Sequence, residues 1–156
     1  MLKKNISVFY IAFITFILDR LSKLYILKLT DLENQTNIFI TSFLDLNLVF
    51  NKGIAFGLLA FDKALSYNIV TLIIILITLI IFVMAIKSTG FEKLGFSLIL
   101  GGSSGNIFDR LYYGAVVDFI DVNINNIHWF IFNFADIFIS IGVIILIVIE
   151  IFKKKT

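Results

Sequence analysis

The chain of 156 residues contains no cysteine and no proline, and only 15% of its residues are charged. Without cysteine there are no disulfides, no thiolate metal sites and no cysteine nucleophile. Low charge is the stronger restriction, because typical soluble domains carry about 25% charged residues. Combined with a hydrophobic content of 60%, it excludes an ordinary soluble globule and a disordered chain. We therefore expect an integral membrane protein, and a net charge of +2 is too small to indicate binding to nucleic acid.

Four apolar runs are long enough to cross a membrane, since a spanning helix needs about 20 apolar residues. They predict membrane helices at approximately 6–29, 65–86, 91–111 and 132–152 within a single domain of residues 1–156. The first run follows two lysines, as a signal peptide would. It is too long for one and lacks a small-residue cleavage site, so we interpret it as a retained helix.

Basic residues near the ends of these runs predict the orientation in the membrane. One side carries a concentration of lysines, namely Lys3, Lys4, Lys87, Lys93, Lys153, Lys154 and Lys155. We therefore predict that both termini are cytoplasmic and that the loops at approximately 30–64 and 112–131 face outward. Within the first loop, Leu44, Leu46, Leu48 and Phe50 alternate with polar residues, which predicts a strand with one apolar face. We expect this face to rest on the membrane.

The first predicted helix contains three charged residues where charge is expensive. Asp19 and Lys23 are four residues apart and share a helix face, so we expect them to pair. The alternative to a functional role is a purely structural one, in which the neutralised pair only stabilises the helix. Arg20 is rotated by about 100° from Asp19, and we expect it to extend toward the lipid headgroups.

The third predicted helix combines small and polar residues. Gly101 and Gly105 are four apart, which favours close approach of a second membrane helix. Asn106, Asp109 and Arg110 follow at helical spacing, so we expect an amide, a carboxylate and a guanidinium on one face. A hydrogen-bond cluster between helices is the alternative to a functional site here.

Two aspartates, Asp118 and Asp136, are predicted to lie at the same outer membrane boundary. Two carboxylates held close together cannot both ionise, so one would keep its proton and act as a general acid while the other acts as a base. Two separately solvated aspartates are the alternative. The only histidine, His128, has no partner at ligand spacing, so we expect no metal and no cofactor.

Taken together, these residues resemble the lipoprotein signal peptidases, the type II signal peptidases of bacteria. The resemblance covers nearly the whole chain in five blocks that occur in the family's order: Asp19-Arg20-Leu21-Ser22-Lys23, Asn51-Lys52-Gly53-Ile54-Ala55-Phe56-Gly57, Gly105-Asn106-Ile107-Phe108-Asp109-Arg110, Val117-Asp118-Phe119 and Asn133-Phe134-Ala135-Asp136. Each block alone is weak evidence, whereas five in register are specific.

The resemblance implies an intramembrane aspartyl endopeptidase that removes the signal peptide from diacylglyceryl-modified prolipoproteins, cutting before the lipidated cysteine. Asp118 and Asp136 would be the catalytic pair. Supporting or substrate-binding roles would fall to Asn51, Gly53, Asn106, Arg110 and Asn133, and Asp19 and Lys23 would brace the first helix.

The implied fold is a mainly α membrane protein, with four transmembrane helices, a small extracytoplasmic β-cradle and a short extracytoplasmic helix. Residues Val116 to Val122 are a candidate second strand of that cradle. We expect a monomer in the bacterial cytoplasmic membrane whose partners are the lipidated substrate, membrane lipids and inhibitors of the globomycin type.

Two other functions compete with this interpretation. A small proton- or ion-coupled transporter would use Asp19, Lys23, Asp109 and Arg110 as a relay, but a relay requires charges spread through the depth of the membrane. A non-catalytic assembly subunit would use the glycines of the third helix as a partner surface, and it leaves both aspartate blocks without a purpose.

Overall fold

A computed structural model describes residues 2–53, 64–124 and 127–153. These residues form four long helices and one four-stranded sheet. In chain order the elements are α1 (Leu2–Glu33), β1 (Asn37–Thr41), β2 (Leu44–Asn51), α2 (Ala64–Lys87), α3 (Gly90–Tyr112), β3 (Val116–Ile124), β4 (Ile127–Phe132) and α4 (Phe134–Lys153). The described residues contain no further helix, so the expected short extracytoplasmic helix is not among them, and positions 54–57 of the second sequence block lie outside them.

Three of the helices are long and apolar enough to cross a membrane: α1, α2 and α4. Among the described residues α3 does not meet the same standard of length and composition, because glycine, serine and charged residues interrupt its apolar sequence. It nevertheless packs against each of the other three helices. Helix α4 begins at Phe134, two residues after the predicted start, because Ile127–Phe132 form a strand instead.

The sheet is antiparallel throughout, in the order β1-β2-β3-β4. The alternating stretch 44–50 is a strand as predicted, and so is the segment that starts at Val116. Strands β2 and β3 are neighbours although α2 and α3 separate them in sequence, and the pairing sets Asn51 opposite Val116 and Val49 opposite Asp118. A bulge between Leu46 and Val49 puts one extra residue into β2. The sheet therefore brings the end of β2 beside the start of β3.

The protein itself covers part of the apolar face of β2. Leu46 and Leu48 pack against a buried cluster formed by Ile26 of α1 and by Val117 and Phe119 of β3. Contact of this face with the membrane stays a prediction, because alternation within one strand identifies an apolar face but not what covers it. The contact fixes the sheet on the end of α1.

Glycines of α3 allow its close contacts with α1 and α4. A Cβ added at Gly101 would lie 2.6 Å from the carbonyl oxygen of Ala12 and 2.6 Å from the Cβ of Thr15. At Gly102 it would lie 2.6 Å from the carbonyl oxygen of Ala135. At Gly105 the added atom would collide with the Asp19 carboxylate, so the prediction that Gly101 and Gly105 permit close helix approach is confirmed.

Replacing Gly101 with alanine should destabilise the helix bundle. The added methyl group meets a backbone oxygen that cannot move aside, and overpacking of this kind costs about 1–3 kcal/mol. Thermal unfolding of the purified protein in detergent measures the effect. Ser104→Ala is the matched control, because it changes a neighbouring position on α3 and removes only a hydrogen bond to Leu100. Equal stabilities of the two variants would contradict this account of the α1–α3 contact.

Candidate active site

The two sequence-predicted aspartates line one cavity of about 450 Å³ between the helices and the sheet. Asp118 comes from β3, and Asp136 lies in the first turn of α4. Both are more than nine-tenths buried. We call this space the aspartate cavity, and its lining residues are Asn51, Ile74, Ser103, Asn106, Arg110, Val116, Asp118, Asp136, Ile139, Ser140, Val143 and Ile144.

Three asparagine side chains hold the two carboxylates. The amide of Asn51 donates to Asp118 Oδ2 at 2.8 Å, and the amide of Asn133 donates to Asp118 Oδ1 at 2.6 Å. The amide of Asn106 donates to Asp136 Oδ1 at 2.9 Å. Each carboxylate therefore receives a neutral donor, which fixes its orientation without an ion pair.

The chain fold around Asn133 adds a second set of bonds to Asp136. The backbone N–H of Asn133 donates to Asp136 Oδ2 at 3.2 Å, and the backbone N–H of Asp136 donates to Asn133 Oδ1 at 3.0 Å. This reciprocal arrangement is a capping box, which satisfies two donors at the start of α4. Helix formation and the position of Asp136 thus depend on the same two side chains.

The electrostatic environment favours retention of a proton on Asp118. Burial, reinforced by the negative charge of Asp136, raises the pKa of Asp118 to about 7, although hydrogen bonds from Asn51 and Asn133 oppose the shift. A carboxyl group with this pKa is protonated about half of the time at neutral pH. The site can therefore supply both a proton donor and a proton acceptor near pH 7.

A separate group of four charged side chains lies between α1 and α3. Asp19 contacts Arg20 at 2.8 Å and Lys23 at 3.0 Å, and Asp109 contacts the same two cations at 2.6 Å and 2.7 Å. All four are more than nine-tenths buried, and their formal charges cancel. We call these residues the ion-pair cluster. The expected pairing of Asp19 with Lys23 is confirmed.

The expectation for Arg20 was wrong. Its guanidinium is buried between Asp19 and Asp109 and lies 4.8 Å from the ring centre of Phe108, so it does not extend to the headgroups. Arg20 is rotated by about 100° from Asp19 along α1, yet both side chains reach α3, where Arg20 donates to the carbonyl oxygen of Gly105 at 3.3 Å. Only the partner helix supplies Asp109, and periodicity within α1 contains no information about that helix.

Asn106, Asp109 and Arg110, which we expected on one face of α3, belong to two different sites. Asn106 and Arg110 line the aspartate cavity, whereas Asp109 belongs to the ion-pair cluster and accepts the backbone N–H of Val117 at 3.1 Å. Arg110 donates to the carbonyl oxygen of Gly53, and its guanidinium lies 5.2 Å from the ring centre of Tyr67. Arg110 thereby fixes the end of β2 over α3.

Lys23 connects the two groups. Besides its ion pairs it donates to Asn106 Oδ1 at 2.8 Å, and the same Asn106 donates through its amide to Asp136. Asp19 makes a second connection, because its Oδ1 accepts the backbone N–H of Ala135 at 3.1 Å. The spacing of residues in α1 predicted neither contact, since both cross to other helices.

Comparison with known proteins identifies relatives along the whole chain. A sequence model of the family "Signal peptidase (SPase) II" matches residues 11–152. The chain is 49% identical to the lipoprotein signal peptidase of Pelagibacter ubique strain HTCC1062, covering 99% of this chain and 96% of that protein. It is 40% identical to the lipoprotein signal peptidase of Francisella tularensis subsp. novicida strain U112, covering 99% and 98% respectively.

Two solved structures of bacterial membrane enzymes have a similar fold. One superposes with a TM-score of 0.71 at 31% sequence identity, covering 96% of this chain and 90% of the other. The second superposes with a TM-score of 0.72 at 30% identity, covering 92% of each chain. The arrangement of helices and sheet is therefore one that known membrane enzymes adopt.

Asp19→Asn should lower stability substantially. The amide keeps an oxygen that can accept the Ala135 N–H but leaves Arg20 and Lys23 facing a single carboxylate. Breaking a buried ion pair by neutralising one partner costs about 3–5 kcal/mol. Thermal unfolding should show this loss, whereas the same substitution at the exposed Asp31 should leave the transition unchanged. An Asp19→Asn protein as stable as wild type would refute the bracing role of the cluster.

Proposed function

The chain belongs to the signal peptidase II family, and we propose that it removes signal peptides from diacylglyceryl-modified prolipoproteins by aspartyl catalysis. It is a hydrolase of the membrane, and the proposed bond lies just before the lipidated cysteine. The observation that carries the catalytic assignment is the aspartate cavity. Within it, two buried carboxyl groups from different elements receive hydrogen bonds from neutral asparagines. The other buried carboxylates lie outside this cavity: Asp19 and Asp109 are paired with cations, and Asp45 and Asp121 accept asparagine hydrogen bonds on the sheet.

The reaction follows from a pair that shares one proton. The ionised carboxylate removes a proton from a water molecule, and the water oxygen attacks the carbonyl carbon of the scissile peptide bond. The protonated carboxyl group donates its proton to the carbonyl oxygen, which gives a neutral tetrahedral intermediate. When the C–N bond breaks, the leaving amine takes a proton from one carboxyl group, and a hydroxyl group of the tetrahedral intermediate gives its proton to the other carboxylate as the product acid forms, which restores the shared proton. The raised pKa of Asp118 supports this scheme near neutral pH.

The asparagines and Arg110 have positioning roles in this proposal. Asn51 and Asn133 orient Asp118, and Asn106 orients Asp136. Arg110 and Asn51 also hold Gly53, whose N–H donates to Asn51 Oδ1 at 2.7 Å. Substrate entering the cavity would therefore meet carboxyl groups whose geometry is already fixed, which reduces the reorganisation required at the moment of reaction.

We also propose that α3 is a fourth membrane-spanning helix. It is 23 residues long, and its polar residues face α1 and the aspartate cavity. Lysines near the ends of the helices favour cytoplasmic termini, with the sheet and the aspartates at the outer membrane face. That position gives the reaction water while the acyl chains of the substrate stay in lipid.

Asp118→Asn and Asp136→Asn should each abolish cleavage while the protein still folds. An amide can neither accept the proton of water nor supply one to the carbonyl oxygen, so a reduction of at least about 10³-fold is expected. The assay uses the purified protein with a diacylglyceryl-modified prolipoprotein and follows release of the signal peptide. Asp31→Asn is the control on an exposed carboxylate. Full activity in either active-site variant would overturn the assignment of the pair, and globomycin-type peptides should block the wild-type reaction.

The orientation can be tested with single cysteines, because the natural chain contains none. Cysteine at the exposed position 33, the last residue of α1, should react with a membrane-impermeant maleimide on intact spheroplasts. Cysteine at the exposed position 89, between α2 and α3, should react only after the membrane is opened. The reverse pattern would show that the proposed topology is inverted.

A further inference from the structure

The aspartate cavity extends beyond the carboxyl groups, toward the middle of the helices and away from the sheet. This part is lined mainly by aliphatic side chains from α2 and α4, namely Ile74, Ile139, Val143 and Ile144. Two serines interrupt the apolar lining, Ser103 from α3 and Ser140 from α4. Their hydroxyl groups are the polar groups that the described residues contribute to this part of the cavity.

The two serines differ from other hydroxyl residues in the helices. Thr15, Thr71, Thr78, Ser97 and Ser104 each donate to the backbone carbonyl four residues earlier in their own helix. Within the part of the chain that the structure describes, neither Ser103 nor Ser140 forms a hydrogen bond. Because Ser103 is nine-tenths buried, its hydroxyl group has little access to bulk water. The cavity thus contains two hydroxyl groups that have no protein partner among the described residues.

The two serines lie about one helical turn farther from the sheet than Asn106 and Asp136 do. Ser103 precedes Asn106 by three residues, and Ser140 follows Asp136 by four. At about 1.5 Å of rise per helical residue these separations are about 4.5 Å and 6 Å along the helix axes. An extended peptide advances about 3.3 Å per residue. The hydroxyl groups therefore face a bound peptide one to two residues from the scissile bond.

A signal peptide in the membrane needs hydrogen-bond donors for its backbone carbonyl oxygens at the depth of the two serines. A peptide bond inside a helix is shielded, so the signal peptide must be extended where it meets the carboxyl groups. Extension frees backbone carbonyl oxygens, and each unsatisfied polar group in the apolar interior costs several kcal/mol. Beside the carboxyl groups water can satisfy them, but one turn deeper the lining is aliphatic except for Ser103 and Ser140.

We propose that Ser103 and Ser140 are substrate-positioning residues that donate hydrogen bonds to backbone carbonyl oxygens of the signal peptide, one to two residues before the scissile bond. This inference rests on the proposed peptidase function. It assigns to the serines the stabilisation of the unwound segment and leaves proton transfer to Asp118 and Asp136. The hydroxyl groups recognise backbone, so they act on signal peptides irrespective of their side chains.

Serine-to-alanine variants test the proposal in lipid nanodiscs with a synthetic diacylglyceryl lipopeptide. Ser103→Ala and Ser140→Ala should each lower kcat/KM by about 3- to 10-fold, the effect of one uncharged hydrogen bond. Ser140→Thr, which keeps the hydroxyl group at an exposed position, should restore the rate. Ser104→Ala is the matched control, because its hydroxyl group bonds to Leu100 and lies outside the cavity lining.

A substrate change separates positioning from a structural role. In a thioamide lipopeptide, sulfur replaces the carbonyl oxygen of the second residue before the scissile bond, and sulfur is a weaker acceptor. Wild-type enzyme should cleave this substrate more slowly than the unmodified lipopeptide. The Ser103→Ala/Ser140→Ala variant should lose less rate on the thioamide than on the unmodified lipopeptide, because the sulfur already weakens one of the hydrogen bonds that the variant removes. The proposal would be overturned if the double variant cleaved the unmodified lipopeptide as fast as Ser104→Ala does. It would also be overturned if the double variant, relative to wild type, lost the same factor in rate on the thioamide and on the unmodified lipopeptide. If wild-type enzyme did not cleave the unmodified lipopeptide, the proposed function itself would be refuted.

Discussion

Burial of carboxylates away from water is the constraint on which the rest of this structure depends. An ionised carboxylate in an apolar surrounding is costly, and it must be paired with a cation or keep its proton. The protein uses both solutions a short distance apart. Asp19 and Asp109 are paired with Arg20 and Lys23, whereas Asp118 and Asp136 are surrounded by asparagines. The first arrangement gives a neutral, stable cluster, and the second leaves a proton available for chemistry.

Helix α3 connects the ion-pair cluster to the aspartate cavity. Its glycines let α1 and α4 pack close to α3, so that side chains of the three helices contact one another. At Gly105 the missing side chain provides the space that the Asp19 carboxylate occupies. Asn106 follows directly and links Lys23 to Asp136. The closed set of ion pairs also argues against a transporter, because all four charges are satisfied in one place.

Sequence patterns predicted the parts of the structure that are local. Spacing within one helix predicted the Asp19–Lys23 pair, and alternation predicted β2. Strands β1 and β4 were not predicted, because neither has a clear alternation of its own and each is defined by pairing with a neighbour. The burial of Arg20 and the covering of Leu46 and Leu48 depend on partners from elsewhere in the chain. The position of Ser103 in the cavity also depends on other elements of the chain, although its spacing of three residues from Asn106 indicates that the two share a face of α3. His128 stays untested, because its side chain is outside those described.

Direct titration of the Asp118 carboxyl group tests the central claim, that this buried site retains a proton near neutral pH. Carbon-13 NMR of aspartate-labelled protein can follow it, with Asp118→Asn used to assign the resonance. We expect a midpoint near pH 7 in wild type. In Asp136→Asn the midpoint should fall, because the neighbouring negative charge that raises the pKa of Asp118 is absent. A wild-type midpoint near the ordinary aspartate value of 3.8, unchanged in Asp136→Asn, would contradict the account.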